Sequence, residues 1–215
     1  MTSSLSLRDV IAQESHPWEY LWTRSITPWD RGAANPYLLD FIEKPPNGID
    51  LPRGGKALIA GCGRGYDVAL FRDAGFQAWG IDISETAVQA ARKWISSAPY
   101  DATSSGGTAE FHAVDFFEFP IPDGGFEIAW DLTFFCALHP SQREAWAKRY
   151  TTLLSSNPRA LLVTLCFPID GNRLGGPPWS VSVEAYEAVL SGNLGWKKIH
   201  EGPGGEGGRL VVWGR

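Results

Sequence analysis

The sequence has little of what marks secreted, metal-binding or membrane proteins. Its 215 residues include only three cysteines, Cys62, Cys136 and Cys166. An odd and widely spaced set argues against both a disulfide framework and a metal-binding motif. No apolar run approaches the roughly 18 residues of a membrane helix, and the charged stretch 1–15 lacks the apolar core of a signal peptide. These absences predict a cytoplasmic protein that has no membrane partner and no bound metal.

An excess of positive charge is also missing. The chain has 19 lysine and arginine residues against 24 aspartate and glutamate residues, a formal net charge of −5, and no basic cluster stands out. Nucleic-acid-binding proteins present such clusters to phosphates, so we expect no nucleic-acid partner and a small substrate. No linker or internal repeat divides the chain, and residues 1–215 are therefore predicted to form a single domain. Nothing in the sequence indicates the oligomeric state.

A glycine-rich turn follows the apolar run at residues 57–60. Gly61, Gly63 and Gly65 occupy the position where a buried strand would turn into a helix. Glycine at such a turn lets the backbone approach a ligand closely. The last position of the dinucleotide fingerprint G-x-G-x-x-G is filled by bulky Tyr66, which disfavours NAD and FAD. The pattern therefore predicts a different nucleoside cofactor.

Asp82 completes this pattern. It ends the next predicted strand, about 20 residues after Gly61, where a carboxylate can accept hydrogen bonds from ribose hydroxyls. This pair fits S-adenosylmethionine better than a dinucleotide. A glycine-rich surface turn is the alternative, but the strand, helix and acid at these spacings favour the cofactor.

Strands and helices alternate along the rest of the chain. The predicted strands are 57–60, 76–81, 110–114, 127–132, 160–165, 197–201 and 210–213. The predicted helices are 66–74, one capped by Ser84, one opened by Pro140, and 183–190, while 96–108 and 168–178 are predicted loops. The last two strands form a hairpin. The order predicts an α/β, Rossmann-like, doubly wound, mostly parallel seven-stranded sheet with one antiparallel strand.

Ligands of open parallel sheets lie over the carboxyl ends of the strands, at the point where the strand order reverses. This rule brings Gly61, Asp82, Asp115, Asp131 and Phe167 to one edge of the sheet, although they are far apart in sequence. We therefore expect one site at this edge.

Longer motifs around these residues resemble the thiopurine methyltransferase superfamily, and within it the halide and thiol methyltransferase branch of plants and fungi. The resemblance covers Trp18 to Trp196. It rests on Trp18-Glu-Tyr-Leu-Trp22, Thr27-Pro-Trp-Asp30, Gly61-Cys-Gly-Arg-Gly-Tyr-Asp67, Gly80-Ile-Asp-Ile-Ser84, Asp115-Phe-Phe117, Phe135-Cys-Ala137, Trp146-Ala-Lys148 and Gly175-Gly-Pro-Pro178. It implies the class I fold of methyltransferases that use S-adenosylmethionine and release S-adenosylhomocysteine.

The resemblance also implies that residues 1–45 form a lid over the cofactor. The cofactor-binding residues that it implies are Trp18, Trp22, Trp29, Gly61, Gly63, Asp82, Ile83, Asp115, Phe116, Asp131 and Leu132. An aromatic face near a sulfonium cation adds electrostatic attraction, which supports the tryptophans. Packing in the core or at a hinge is the alternative, above all for Trp22.

The implied substrate pocket is formed by Trp29, Leu132, Phe135 and Phe167. Plant members that resemble this chain carry tyrosine at the positions of Leu132 and Phe167, so the pocket here is expected to be more apolar. Iodide, bromide, chloride, bisulfide or a thiolate is already an anion, and in-line methyl transfer to it needs no residue as acid or base. The resemblance thus predicts methyl transfer to a small, soft anion.

Four other functions are weighed against methyl transfer to a small anion. The alternative within the family is methylation of larger organic thiols, such as thiopurines or aryl thiols. Methylation of amino groups is disfavoured because the stretch 131–135 lacks the Asn/Asp-Pro-Pro-aromatic motif of those enzymes, and no metal cluster supports a catechol methyltransferase. A non-enzymatic cofactor sensor is a further possibility. Asp67 is either a surface charge or a cofactor contact, and His139 is interpreted as a helix-start residue.

Overall fold

The computed structural model describes residues 7–97, 106–171 and 173–215. The helices are α1 (Leu7–Gln13), α2 (Pro17–Thr23), α3 (Pro36–Glu43), α4 (Tyr66–Asp73), α5 (Glu85–Ser97), α6 (Arg143–Leu153) and α7 (Val183–Leu190). The strands are β1 (Lys56–Ala60), β2 (Gln77–Asp82), β3 (Thr108–Ala113), β4 (Ile128–Leu132), β5 (Leu161–Cys166), β6 (Lys197–Pro203) and β7 (Arg209–Gly214). Residues 1–6 of the predicted lid and 98–105 of the predicted loop 96–108 lie outside the described residues.

The strands form one seven-stranded sheet in the order β3-β2-β1-β4-β5-β7-β6. Strands β1 to β5 run parallel to one another, and β7 runs antiparallel to both of its neighbours, β5 and β6. This confirms the predicted mostly parallel sheet with one antiparallel strand. The strand order reverses at β1 and β4, whose carboxyl ends therefore flank the crevice in which such sheets bind ligands.

Helices cover both faces of this sheet. Neighbouring residues of a strand point to opposite sides, so the apolar strands present side chains to be buried on each face. Leu58 and Ala60 of β1 belong to the core that also holds Trp146 and Tyr150 of α6. Ala57 and Ile59 belong to the opposite core, together with residues of α3, α4 and α5 such as Phe71. The near-continuous apolar sequence of β1 reflects this burial on both faces.

The helices α1, α2 and α3 were absent from the predicted elements. Each has only seven or eight residues, too short for a clear apolar periodicity. Their ends do carry local signals, since Pro17 and Pro36 occupy first-turn positions. The Asn35 side chain accepts hydrogen bonds from the amides of Tyr37 (2.9 Å) and Leu38 (3.2 Å) and so caps α3.

Two side chains cap the start of α5. The Ser84 hydroxyl accepts a hydrogen bond from the Ala87 amide at 3.0 Å, which confirms the predicted cap. Glu19 of α2 accepts hydrogen bonds from the Ser84 hydroxyl (2.6 Å) and from the amide and hydroxyl of Thr86. Burial acts to raise the pKa of Glu19, but these hydrogen bonds outweigh it and lower the pKa below its usual range. A carboxylate from the N-terminal segment thus stabilises a helix start beside Asp82.

Replacement of Glu19 by alanine is expected to lower the free energy of unfolding by about 1 kcal/mol, because the first turn of α5 loses its acceptor. Chemical denaturation followed by circular dichroism measures this change. Glu206→Ala, which removes a carboxylate whose ion pair with Arg31 is exposed on both sides, is the control and should change stability by less than about 0.5 kcal/mol. Equal values for the two variants would contradict the capping role of Glu19.

Candidate active site

A cavity of about 600 Å³ opens at the carboxyl ends of the parallel strands. Three parts of the chain surround it: the N-terminal segment, the turns after β1, β2, β3 and β4, and the loop between β5 and α7. Its volume lies within the usual range for sites that bind drug-sized ligands.

The turn after β1 approaches the cavity closely. Gly61 and Gly63 line it with φ of 59° and 51°, in the left-handed region that favours glycine. A Cβ atom at Gly61 would lie 2.9 Å from the Phe134 ring, and one at Gly63 would lie 3.3 Å from the Trp22 ring. Side chains at these positions would fill the space between the turn and the aromatic walls.

Asp82 joins this turn to the one after β2. Its Oδ2 accepts a hydrogen bond from the Gly63 amide at 3.0 Å, and its Oδ1 accepts one from the Ser84 amide at 2.9 Å. Burial raises the pKa of Asp82 to about 6, so the carboxylate is mainly ionised at neutral pH. Each oxygen retains acceptor capacity beyond its backbone bond, and both belong to a residue that lines the cavity.

Three tryptophans of the N-terminal segment form an aromatic cluster at the cavity. Trp29 packs edge-to-face on Trp18 and Trp22, with ring centroids 5.4 Å and 6.5 Å away. All three line the cavity, although Trp22 is only 6% exposed. Trp22 is therefore a packed side chain that also lines the cavity.

The turn after β3 supplies Asp115 and Phe116, which also line the cavity. Asp115 accepts a hydrogen bond from the Phe117 amide at 2.8 Å, which fixes the turn. Arg149 of α6 holds the same turn by donating to the carbonyl oxygens of Phe116 (3.0 Å) and Phe119. Ile83 lies at the rim with 56% of its surface exposed.

Apolar and aromatic side chains make up much of the remaining wall, and they include Phe167, Leu138, Pro178 and Trp179. His139 contacts Trp179 edge-to-face, with ring centroids 5.1 Å apart. Its Nδ1 accepts a hydrogen bond from the Ser141 amide at 3.3 Å and caps the short 3-10 turn at Pro140–Gln142. His139 thus has the helix-start role that we predicted and also lines the cavity.

Three predicted site residues do not line the cavity: Asp131, Leu132 and Phe135. The fully buried Asp131 carboxylate accepts hydrogen bonds from Trp146 Nε1 (2.8 Å), Tyr150 (3.3 Å) and the Phe135 amide (3.1 Å). Its partners are therefore structural. Burial raises its pKa to about 6.

Phe135 and Leu132 are likewise directed elsewhere. Phe135 is fully buried and stacks on Tyr186, with ring centroids 3.9 Å apart. Leu132 packs against the core on the opposite face of the sheet, as strand alternation requires. After β4 the backbone turns sharply at Thr133, which has a φ of 57°, and Phe134 rather than Phe135 lines the cavity. The adjacent phenylalanines in the sequence gave no signal to choose between them.

Asp67 fits neither of its two interpretations. Its carboxylate accepts hydrogen bonds from the Asn35 amide (2.7 Å) and from Trp130 Nε1 (2.8 Å), and it does not line the cavity. Burial raises its pKa. Asp67 therefore connects the start of α3 to the sheet. Leu7, Ile11 and Arg31 also line the cavity; they belong to the segment implied as a lid, but no local pattern singles them out as lining residues.

Over residues 7–97, 106–171 and 173–215 no group of three or more histidine, cysteine, aspartate or glutamate side chains is placed to hold a metal ion. None of the helices in these ranges is both long and apolar enough to cross a membrane.

Comparison with known proteins gives consistent matches. The family model described as thiopurine S-methyltransferase matches residues 13–202. The chain is 40% identical over 194 residues to the probable thiol methyltransferase 2 of Arabidopsis thaliana, covering 88% of this chain and 80% of that protein. It is 37% identical over 186 residues to thiocyanate methyltransferase 1 of the same plant, covering 86% and 75%.

Solved structures match over most of the chain at low identity. A magnesium protoporphyrin IX methyltransferase from Synechocystis PCC 6803 with bound SAM has a TM-score of 0.66 and 17% identity, covering 100% of both chains. A SAM-dependent methyltransferase from Methanosarcina mazei has a TM-score of 0.64 and 18% identity, covering 77% of this chain and 94% of that one. Identities this low show the fold alone, which is that of class I methyltransferases.

Proposed function

Because the chain belongs to the thiopurine S-methyltransferase family, we propose that it methylates small, soft anions, and thiolates and thiocyanate before halides. The broader activity is that of a methyltransferase that acts on thiols and uses S-adenosylmethionine. The named relatives support the choice of thiolate and thiocyanate, since they are a probable thiol methyltransferase and a thiocyanate methyltransferase.

The residues at the cavity fit S-adenosylmethionine. Asp82 offers a buried carboxylate for ribose hydroxyls, and Gly61 and Gly63 leave space that a Cβ atom would fill. We assign the cofactor to these residues together with Trp18, Trp22, Trp29, Ile83, Asp115 and Phe116. Residues 7–45, the described part of the predicted lid, line the cavity with Leu7, Ile11 and Arg31 among others, which supports the lid role. When bound, S-adenosylmethionine supplies an electrophilic methyl group on a positively charged sulfur.

The proposal rests mainly on the part of the cavity lining that we assign to the methyl acceptor and call the acceptor wall. The stretches 133–142, 167 and 176–179 contribute no carboxylate and no lysine to the cavity lining within the part of the chain that is described. Their two ionisable lining residues are His139 and Cys136. The Nδ1 of His139 already accepts a hydrogen bond from the Ser141 amide. A wall with so few proton acceptors suits an acceptor that arrives as an anion. Apolar walls also weaken the hydration of that anion, which favours large, polarisable ions.

Cys136 lines the cavity without being a competing acceptor itself. Burial raises the pKa of its thiol to about 12, and its Sγ donates to the Thr133 carbonyl oxygen at 3.4 Å. The side chain therefore stays protonated at neutral pH, and a thiol is a much weaker nucleophile than a thiolate.

The size of the cavity favours a second candidate, methylation of larger organic thiols. The cavity of about 600 Å³ lies in the range of sites that bind drug-sized ligands, and Leu138 and Trp179 in its lining could contact an acceptor larger than an ion. Aromatic walls suit an aryl or heteroaryl thiol.

An acceptor panel tests the two proposals. Release of S-adenosylhomocysteine is measured with thiocyanate, bisulfide, iodide, bromide, chloride and thiophenol at saturating cofactor. We expect thiocyanate and bisulfide to have the highest kcat/KM among the inorganic acceptors, and the order iodide, bromide, chloride, because chloride is the most strongly hydrated of the three. Fastest turnover of chloride would contradict the apolar acceptor wall, and turnover of thiophenol alone would select the second candidate.

A further inference from the structure

We propose that the ion pair between Asp30 and Arg64 positions Trp29 at the cofactor, so that the N-terminal segment and the glycine turn form one binding unit. The proposal rests on the proposed function for the identity of the cofactor. It assigns a positioning role to two residues that do not themselves have to contact the ligand.

Asp30 organises the chain on both sides of itself. Its Oδ1 accepts a hydrogen bond from the Gly32 amide at 3.0 Å, and its own amide donates to the Thr27 carbonyl oxygen at 2.9 Å. Its Oδ2 accepts a hydrogen bond from Arg64 Nε at 2.7 Å. The carboxylate thus fixes the turn that follows Trp29 and attaches this turn to a second segment.

Arg64 lies within the glycine turn, between Gly63 and Gly65. The side chain of Asp30 is only 11% exposed and that of Arg64 is 35% exposed, so the pair is much better shielded than the other ion pairs that the structure shows between distant segments. The guanidinium also lies 5.4 Å from the ring centroid of Trp22, which packs on Trp29. The Tyr66 phenol also hydrogen-bonds with Asp30 and Arg64, and burial together with the Asp30 carboxylate raises its pKa.

Two independent contacts therefore connect Arg64 to Trp29, one through Asp30 and one through Trp22. Loss of the pair would free the turn 27–32 from the glycine turn, while Glu19 would still hold α2 to the start of α5. The expected defect is a misplaced Trp29 in a folded protein.

The sign of the effect separates positioning from direct electrostatics. S-adenosylmethionine carries a sulfonium charge that S-adenosylhomocysteine lacks. Removal of the Arg64 cation makes the site more negative, and by direct attraction this would favour the sulfonium compound. Misplacement of an aromatic face that attracts the sulfonium would do the opposite.

The test measures dissociation constants of both compounds by calorimetry for the wild type, Arg64→Met, Arg64→Lys and Trp29→Ala. We expect Arg64→Met to raise the dissociation constant of S-adenosylmethionine about tenfold and that of S-adenosylhomocysteine clearly less. Arg64→Lys should restore part of the difference, since it keeps a cation near Asp30. The double variant Arg64→Met/Trp29→Ala should bind S-adenosylmethionine only slightly more weakly than Trp29→Ala does, because both changes remove the same contact of Trp29 with the cofactor.

Arg159→Met is the matched control. Arg159 also pairs through Nε with an aspartate, Asp50 at 3.2 Å, but both side chains are about 70% exposed and neither lines the cavity. Thermal melting confirms that each variant is folded. The proposal would be overturned if Arg64→Met lost affinity equally for both compounds, or if it bound S-adenosylmethionine more tightly than the wild type does. If Trp29→Ala shows the selective loss and Arg64→Met does not, the positioning role fails while the function stands. Absence of binding in the wild type would instead refute the function.

Discussion

Asp82→Ala is expected to weaken the binding of S-adenosylmethionine by about 2–3 kcal/mol, or roughly 30- to 150-fold in the dissociation constant. Two losses combine in this variant. In the proposed binding mode the ribose loses a charged acceptor, and the amides of Gly63 and Ser84 lose the carboxylate that holds their turns together. Isothermal calorimetry with S-adenosylmethionine measures the effect directly.

Asp82→Asn separates these two losses. The amide oxygen can still accept one backbone hydrogen bond, whereas the charge is gone, so an intermediate affinity is expected. Asp50→Ala provides an aspartate remote from the cavity whose removal should leave the dissociation constant unchanged. An unaltered affinity in folded Asp82→Ala would refute the assignment of this carboxylate to the cofactor.

Asp131→Ala is expected to be the most destabilising single change, lowering the free energy of unfolding by about 3–5 kcal/mol at neutral pH. The carboxylate is fully buried, and its removal leaves the donors of Trp146, Tyr150 and the Phe135 amide without an acceptor. Urea denaturation followed by tryptophan fluorescence gives the difference, and Asp50→Ala should change it by less than about 0.5 kcal/mol. A loss below about 1 kcal/mol in Asp131→Ala would show that these donors find other partners.

The same residue makes stability depend on pH in a defined direction. Burial raises the pKa of Asp131 from 3.8 to about 6, so the folded state holds this proton more tightly than the unfolded chain. The resulting stabilisation is fully present below about pH 4 and is lost as the pH rises through about 6. Asp131→Ala lacks this contribution, so its destabilisation should be about 2 kcal/mol larger at pH 4.5 than at pH 7.5. An equal destabilisation at both values would show that the pKa of Asp131 is not raised. The raised pKa of Asp82 contributes to the pH dependence in the same direction, but Asp82 is present in both the wild type and Asp131→Ala, so its contribution cancels in the comparison.

The sequence alone was sufficient for the order of the strands, for the helices between them and for three of the turns that line the cavity. The apolar run before Gly61, the distance to Asp82 and the alternation of later segments are local patterns, and local patterns determine where strands begin and end. They predicted the seven-stranded sheet, the helix Val183–Leu190 and the cap at Ser84. The turns after β1, β2 and β3 line the cavity as predicted because the carboxyl ends of parallel strands meet at one edge.

Tertiary structure alone decided which side chains face the cavity and what the buried charges do. Asp131 and Asp67 look like site residues from their positions, but the indole groups of Trp146 and Trp130 reach them from other segments and make them structural. Phe134 replaces Phe135 at the cavity because one backbone turn at Thr133 changes the direction of neighbouring side chains. The contact between Asp30 and Arg64 joins residues that are 34 apart in sequence, and no periodicity records it. Local patterns specify the backbone route, whereas long-range contacts between side chains form only when that route is folded.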